Sequence, residues 1–311
     1  MTHREKMPPI GIAEQLRPGL QRMLAPNASP MTYWGTNTYI LGENDVVVID
    51  PGPDDPAHLN ALLQALDGRR VAHILVTHSH LDHSGLCMAL AKQTGVPIAG
   101  FGDSEAGRSD IMTALVAAGM TQGGEGVDKG FRPDAYLADG AKINGPWGEI
   151  TAIHTPGHMA NHLCFAWGDD IFTGDHIMGW STSLISPPDG DLTAFMQSCR
   201  KLQDIPAVRY FPGHGAAVSQ PEERLAWLMT HRQDREAQIL SALRQGAAKI
   251  PSLTESIYRD LSPGLLPAAQ RNVFAHLIDL CQRHVVFATP NIGFDAKFQI
   301  NDAAELPVTG M

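Results

Sequence analysis

Long apolar runs are missing from this chain. None approaches the roughly 20 residues of a membrane-spanning helix, so no membrane partner is expected. Cysteine is scarce: Cys87, Cys164, Cys199 and Cys281 lie scattered, without paired spacing. That fits a reducing compartment better than a disulfide framework, and predicts each thiol as a small buried apolar residue. An excess of positive charge is also missing. With 23 Lys+Arg against 33 Asp+Glu the formal net charge is -10, which disfavours a general affinity for nucleic acid or anionic lipid and leaves room for a local basic groove. Met1 to Met7 lead into Pro8-Pro9 without an apolar core, so no secretory signal is expected there, and the predicted location is cytoplasmic. What is present is ample: 311 residues, 43% of them hydrophobic, suffice for one large domain or two.

The order of elements predicts an α/β fold. Residues 1–30 are Pro-rich and short on pattern, and are expected as a wrapped arm. Strand character follows at 31–41 and 46–49, helical spacing at 56–66, and a β-branched strand at 71–76. A helix at 85–93 and a short strand at 96–100 come next, then an insertion over 103–130 with a helix near 109–118 and a glycine-rich end. From 131 to 174 the chain turns to strands, and helix 191–203 and strand 208–211 close the region. Pro221 to Gln245 is one long helical pattern, apolar at both ends and polar from His231 to Gln238, as in a helix that bridges two bodies. Helices at 252–260 and 267–283 and two β-like runs, 285–287 and 296–300, suggest a small winged-helix domain. The expected division is 1–225 and 226–311, within the bridging helix.

One stretch stands out. Thr77-His78-Ser79-His80-Leu81-Asp82-His83-Ser84-Gly85 puts three histidines and an aspartate within six residues, directly after a buried strand. Alternate side chains of a strand share a face, so His78 and His80 start on one side, and Asp82 and His83 follow as the chain turns. Neutral imidazole and carboxylate suit a divalent metal such as zinc, and mixed N/O sites also take iron or manganese. Later strands run into similar polar, glycine-flanked ends: Thr155-Pro156-Gly157-His158, Gly174-Asp175 and Pro212-Gly213-His214-Gly215. Loops at strand ends are where a rigid sheet presents functional groups. His154, His162 and His176 flank these ends as candidate hydrogen-bond donors to ligands. Ser79 and Ser84 are expected as turn and cap residues.

HSHLDH at 78–83, with TPGH at 155–158, GD at 174–175 and PGHG at 212–215, resembles the metallo-β-lactamase-fold hydrolases over about residues 20–220. The resemblance implies a four-layer αββα sandwich with a metal site at one edge between two sheets. It implies one metal held by His78, His80 and His158, a second by Asp82, His83 and His214, and Asp175 bridging both. The full set resembles the glyoxalase II and ribonuclease branches more than true β-lactamases, which lack the bridging aspartate. His231-Arg232-Gln233-Asp234-Arg235-Glu236 and the tail after it resemble the winged helix of lactamase-beta-2-like proteins, as does GDHIMGWST at 174–182. The glutathione-binding tail of glyoxalase II is not what this tail resembles.

Two divalent ions about 3.5–4 Å apart can share a water and lower its pKa toward 7. Asp82, besides being a ligand, is then the candidate catalytic group that accepts the proton of this metal-bridged hydroxide. His176, Trp180, Ser181 and Thr182 are expected on one wall of the substrate pocket, with Tyr33, Trp34 and Asn37 on the opposite rim. The leading expectation is hydrolysis of a small ester, thioester or lactone-like bond by a binuclear zinc centre. The alternative is a single-strand endoribonuclease with RNA as partner. From 222 to 311 there are 9 Lys+Arg against 10 Asp+Glu, not the basic face of a nucleic-acid domain, so the tail is expected to roof the active site or build a homodimer. A non-catalytic binding or regulatory protein is the remaining alternative, disfavoured because structural metal sites are closed and single.

Overall fold

The computed structural model describes residues 6–120, 123–124 and 126–301. Seven strands form the first sheet in sequential order: β1 (Glu14–Arg17), β2 (Leu20–Leu24), β3 (Asn37–Gly42), β4 (Asp45–Ile49), β5 (Arg70–Leu75), β6 (Ile98–Gly100) and β7 (Ala135–Tyr136). The pairs from β1 to β4 are antiparallel, and those from β4 to β7 are parallel. The second sheet has the order β12-β11-β10-β9-β8, from β8 (Lys142–Gly145), β9 (Gly148–His154), β10 (Leu163–Trp167), β11 (Asp170–Gly174) and β12 (Arg209–Pro212).

The two sheets pack face to face. Tyr39, Val47, Ile49 and Leu75 of the first sheet share one buried cluster with Ile150, Leu163, Phe165 and Phe172 of the second. The alternate residues Ile40, Val46, Val48 and Ile74 point the other way, against Leu62 of α1 (Pro56–Ala65) and, beyond the four-residue α2 (Leu81–Ser84), Leu90 of α3 (Cys87–Thr94). Period-two alternation thus explains why β4 is apolar on both faces. On the far side, Ile153, Cys164 and Ile171 pack against α5 (Leu192–Gln203), while the inserted α4 (Asp110–Ala117) sits elsewhere. The result is the expected αββα layering. Asp55 and Asp191 cap α1 and α5, accepting from His58 N and Ala194 N at 2.8 and 3.2 Å.

The N-terminal arm is a correction. Residues 14–24 are a hairpin on the edge of the first sheet, turned at Pro18-Gly19. Polar Gln15, Gln21 and Arg22 hide the strand pattern, while Leu20, Met23 and Leu24 are fully or almost fully buried. The strand expected from 31 begins only at Asn37; residues 31–34 are turn, with Tyr33 at φ 56. The helix expected at 85–93 is α3, starting two residues later, and a separate short turn of helix, α2, precedes it.

The bridging helix is real and unbroken. In α6 (Pro221–Leu243), Leu225 and Leu228 join the core beneath the second sheet, and Ile239 and Leu243 join a separate core. That second core is built by α7 (Ile250–Ile257), α8 (Leu266–Gln282) and a three-stranded sheet of order β13-β15-β14, from β13 (Ala248–Lys249), β14 (Val286–Thr289) and β15 (Lys297–Ile300), which is a winged-helix arrangement. The two bodies interlock: Met112 and Leu115 of α4 enter the winged-helix core, and Ala275 of α8 enters the core beneath the second sheet. Among the described residues no helix is long and apolar enough to cross a membrane.

Candidate metal centre

Four chain segments that leave sheet strands meet at one edge of the sandwich: 77–83 after β5, 155–158 after β9, Asp175 after β11 and 213–214 after β12. Hydrogen bonds sew the sheets together there. Thr77 O accepts from Leu163 N at 2.7 Å, and Gly213 O accepts from Asn37 N at 2.7 Å. The Asn37 side chain donates to Pro212 O and Gly215 O at 3.0 and 2.8 Å.

These ties bring all seven predicted ligands together. His78, His80, His158 and Asp175 form one group, and Asp82, His83 and His214 another, each with one ligand atom per residue within 4.8 Å of the others. His78 Nε2 and His158 Nε2 face His80 Nδ1 at 2.9 and 3.0 Å. Asp175 lies between the groups. Its Oδ2 is 3.7 Å from His158 Nε2 and 3.3 Å from His214 Nε2, and its Oδ1 is 3.4 Å from His83 Nε2. Asp82 Oδ2 is 3.5 Å from His83 Nε2 and 3.3 Å from His214 Nε2.

The two groups differ electrically. Burial, reinforced by neighbouring imidazoles, holds the pKa of His78 well below the ordinary histidine value and that of His80 down to about 3. Burial also lowers that of His158. Burial opposes charge on His83 as well, but Asp82, Asp175 and Asp50 outweigh it and raise its pKa well above the ordinary value. For His214, Asp175 and Asp82 overcome burial and raise it to about 10. Burial works to raise Asp82 and Asp175, yet the facing histidines hold both below the ordinary carboxylate range.

The donor set fits divalent metal. His83 Nε2 and Asp175 Oδ1 are buried without a hydrogen-bond partner, which is costly unless something else satisfies them. Three neutral imidazoles converge through ring nitrogens, and a carboxylate reaches both groups, as two neighbouring cations would require. Close packing is enforced by glycine: a Cβ on Gly213 would lie 2.5 Å from His83 Cε1 and 2.6 Å from Asp175 Oδ1.

Residues 31–214 match the metallo-beta-lactamase superfamily. The chain belongs to that superfamily. Residues 250–291 match the beta-lactamase associated winged helix domain. The chain is 30% identical to a Drosophila melanogaster protein named beta-lactamase-like protein 2 homolog, over 87% of this chain and 90% of the relative. It is 31% identical to the atrochrysone carboxyl ACP thioesterase of Aspergillus fumigatus, over 84% of this chain and 79% of the relative. A solved beta-lactamase domain protein from Burkholderia ambifaria superposes with a TM-score of 0.79 at 20% identity, over 96% of each chain, and shares the fold.

Within this metallo-beta-lactamase fold, each predicted ligand histidine other than His80 is held through its second ring nitrogen. His78 Nδ1 meets Thr77 Oγ1 at 3.0 Å, His158 Nδ1 meets Leu184 O at 2.7 Å, and His214 Nδ1 meets Gly35 O at 3.1 Å. His83 Nδ1 meets Asp50 Oδ2 at 2.8 Å. Asp50 also accepts from Thr77 N and Thr77 Oγ1, both at 2.7 Å. Thr36 Oγ1 donates to Asp82 Oδ2 at 3.0 Å. Sequence reasoning missed Asp50, Thr36 and Thr77; the signal for Asp50 was Asp-Pro-Gly at a strand end, like the other ligand-bearing ends. Instead it favoured the flanking histidines as supports. His162 pairs with Thr155 Oγ1 at 2.9 Å and its ring lies 5.2 Å from that of His78. His154 pairs with Ala160 O at 2.9 Å, and His176 faces Cys199 Sγ at 3.7 Å.

The predicted pocket residues divide. Tyr33 is exposed and stacks on Trp34 and on Trp180, each with ring centroids 4.8 Å apart. Ser181 and Thr182 are half-buried beside Trp180. Asn37 and His176 are corrections: both are fully buried. Asn37 is an inter-sheet tie, and His176 packs on Phe195 with ring centroids 4.6 Å apart, so neither lines an open rim.

Proposed function

We propose that this chain is a binuclear metal-dependent hydrolase that cleaves a small ester, thioester or lactone-like bond. The observation that carries the proposal is Asp175, whose two oxygens face histidines of both groups at 3.3–3.7 Å. A single structural ion has no use for a carboxylate so placed. The ligand set of imidazole and carboxylate favours zinc over iron or manganese. When bound, two such ions lower the pKa of a shared water toward neutrality and polarise the scissile carbonyl.

The chain's own residues do the rest. Thr36 fixes Asp82 Oδ2, so the carboxylate is oriented to hold the attacking water and accept its proton. Asp50 and the Gly35 carbonyl fix the rings of His83 and His214. The Tyr33–Trp180 stack provides an apolar wall next to His214, because Trp180 packs over Gly215: a Cβ there would lie 2.7 Å from Trp180 Cδ1. A flat apolar wall suits an acyl group, and the thioesterase name of the Aspergillus relative favours an acyl thioester. The near balance of charge in the tail supports a small-molecule substrate over RNA.

The test is metal analysis of the purified protein beside hydrolysis of a chromogenic ester, an acyl thioester and a labelled RNA. The expected result is two ions per chain and chelator-sensitive thioester or ester hydrolysis. One ion per chain, or hydrolysis indifferent to chelator, overturns the proposal. Cleavage of the RNA alone establishes the endoribonuclease alternative, and two ions with activity on none of the three favours a binding protein.

A further inference from the structure

Arg232 lies in the polar middle of α6, yet it is only 4% exposed. Its Nη2 donates to Ser183 O and its Nη1 to Asn272 Oδ1 at 3.3 Å, while the guanidinium sits 5.3 Å from the centre of the Phe195 ring. These partners are all uncharged, and Arg232 Nε is buried without one. Burying a guanidinium against neutral groups is costly. What it gains is geometry, since the planar fork holds two acceptors on different elements in fixed relation.

Asn272, on α8, completes the arrangement. Its Oδ1 also accepts from Ile185 N at 3.1 Å. The segment 183–185 is therefore held on both sides, at Ser183 O by Arg232 and at Ile185 N by Asn272. The carbonyl between them, Leu184 O, meets His158 Nδ1 at 2.7 Å. A carbonyl can only accept, so the His158 proton sits on Nδ1, and the Nε2 lone pair is left facing His80 and Asp175.

We infer that Arg232 and Asn272 form a clamp by which the C-terminal helices set the tautomer and aim of His158. Both are positioning residues; neither reaches the centre itself. The inference rests on the two-ion reading above and gives the winged-helix body a task within it. The C-terminal domain builds the centre from behind.

The test uses the full-length metal-loaded protein with Asn272→Ala, Asn272→Asp and Arg232→Lys. Ion affinities are read by competition with a chromogenic chelator, the His158 tautomer by nitrogen-15 NMR, and folding by thermal melting. Asn272→Ala is expected to weaken one of the two ions by about 10- to 100-fold, the usual cost of losing a ligand's support, and to leave the other unchanged. It should also mix the His158 tautomers. Asn272→Asp keeps an acceptor for both donors and is expected to restore affinity. Arg232→Lys keeps the charge, loses the fork, and should weaken the same ion by about tenfold. A folded Asn272→Ala protein with both affinities and the Nδ1–H tautomer intact overturns the clamp, as does equal weakening of both ions. If the unaltered protein takes up fewer than two ions, the two-ion reading fails, whereas the tautomer in the variants still decides the clamp.

Discussion

The two halves of the centre are built from the same residue type and behave in opposite ways. His78, His80 and His158 look mainly at each other, and burial keeps them neutral. His83 and His214 look at Asp82 and Asp175, and those carboxylates favour their protonated forms. The first half is a cage of lone pairs ready for a cation. The second favours positive charge as protons, which compete with an incoming ion. Identical side chains thus acquire different duties from what stands opposite them, and Asp175 belongs to both halves.

Removing that shared residue should have the largest effect. Asp175→Ala is expected to keep the fold, lose the paired ions and lower kcat/KM by about 10³-fold or more, because several kcal/mol of charge stabilisation goes with the ions. Two tightly bound ions in this variant, counted by metal analysis, would contradict the bridging role. Next comes Asp50→Asn, which meets the second half directly at His83 Nδ1 and the first half only through Thr77, whose hydroxyl faces His78 Nδ1. An amide can replace one carboxylate oxygen toward Thr77 but puts an amino group before His83 Nδ1. The expected loss is about 10- to 100-fold in affinity for the second ion, with a smaller loss at the first; equal losses at both sites would erase the distinction between the halves.

The ion-free protein should show the contrast in its pH dependence. His214 has a folded pKa raised to about 10 against an ordinary 6.5. Its stabilising effect is complete below about pH 6.5 and is lost as pH rises toward 10. His80 has a folded pKa lowered to about 3 from the same 6.5. It destabilises the fold as pH falls from 6.5 toward 3, because the unfolded chain takes up the proton and the folded one does not. Thermal melts of chelated protein should therefore peak near neutrality and fall on both sides, and His214→Ala should make the alkaline side shallower, leaving the share that His83 contributes. An alkaline limb left unchanged by this substitution would show that the carboxylates do not hold a proton on His214.

Much of this was legible in the sequence, for a physical reason. Metal-type ligands cannot be spread through alternative positions. They must stand at strand ends, beside residues small enough to let the backbone close in, so 78–83, His158, Asp175 and His214 announce themselves. The sandwich was legible because Val46-Val47-Val48-Ile49 must be buried on both faces. The supports were not. Thr36, Asp50 and Thr77 are common residue types whose role depends on what the fold places opposite them, 46 residues away for Thr36 and Asp82. Arg232 was harder still, because a polar residue in the middle of a helix ordinarily faces water. The β1–β2 hairpin was hidden by polar residues that an edge strand tolerates.

The smallest expected effect lies at the rim, outside both halves. Tyr33 stands at φ 56, a conformation that costs a non-glycine residue energy and collects at functional sites. Its ring lies between those of Trp34 and Trp180. An aromatic contact of this kind adds roughly 0.5–1.5 kcal/mol beyond area, so Trp180→Ala should raise KM for an acyl substrate by about 2- to 10-fold. Because the ring holds substrate and transition state alike, kcat should be almost unchanged. Ion affinity should not move, since Trp180 supplies no bond to a ligand ring. A fall in kcat at constant KM would place the indole in the chemistry. A change in ion affinity would instead mean that Trp180 acts through Gly215 on His214, making the rim part of the second half.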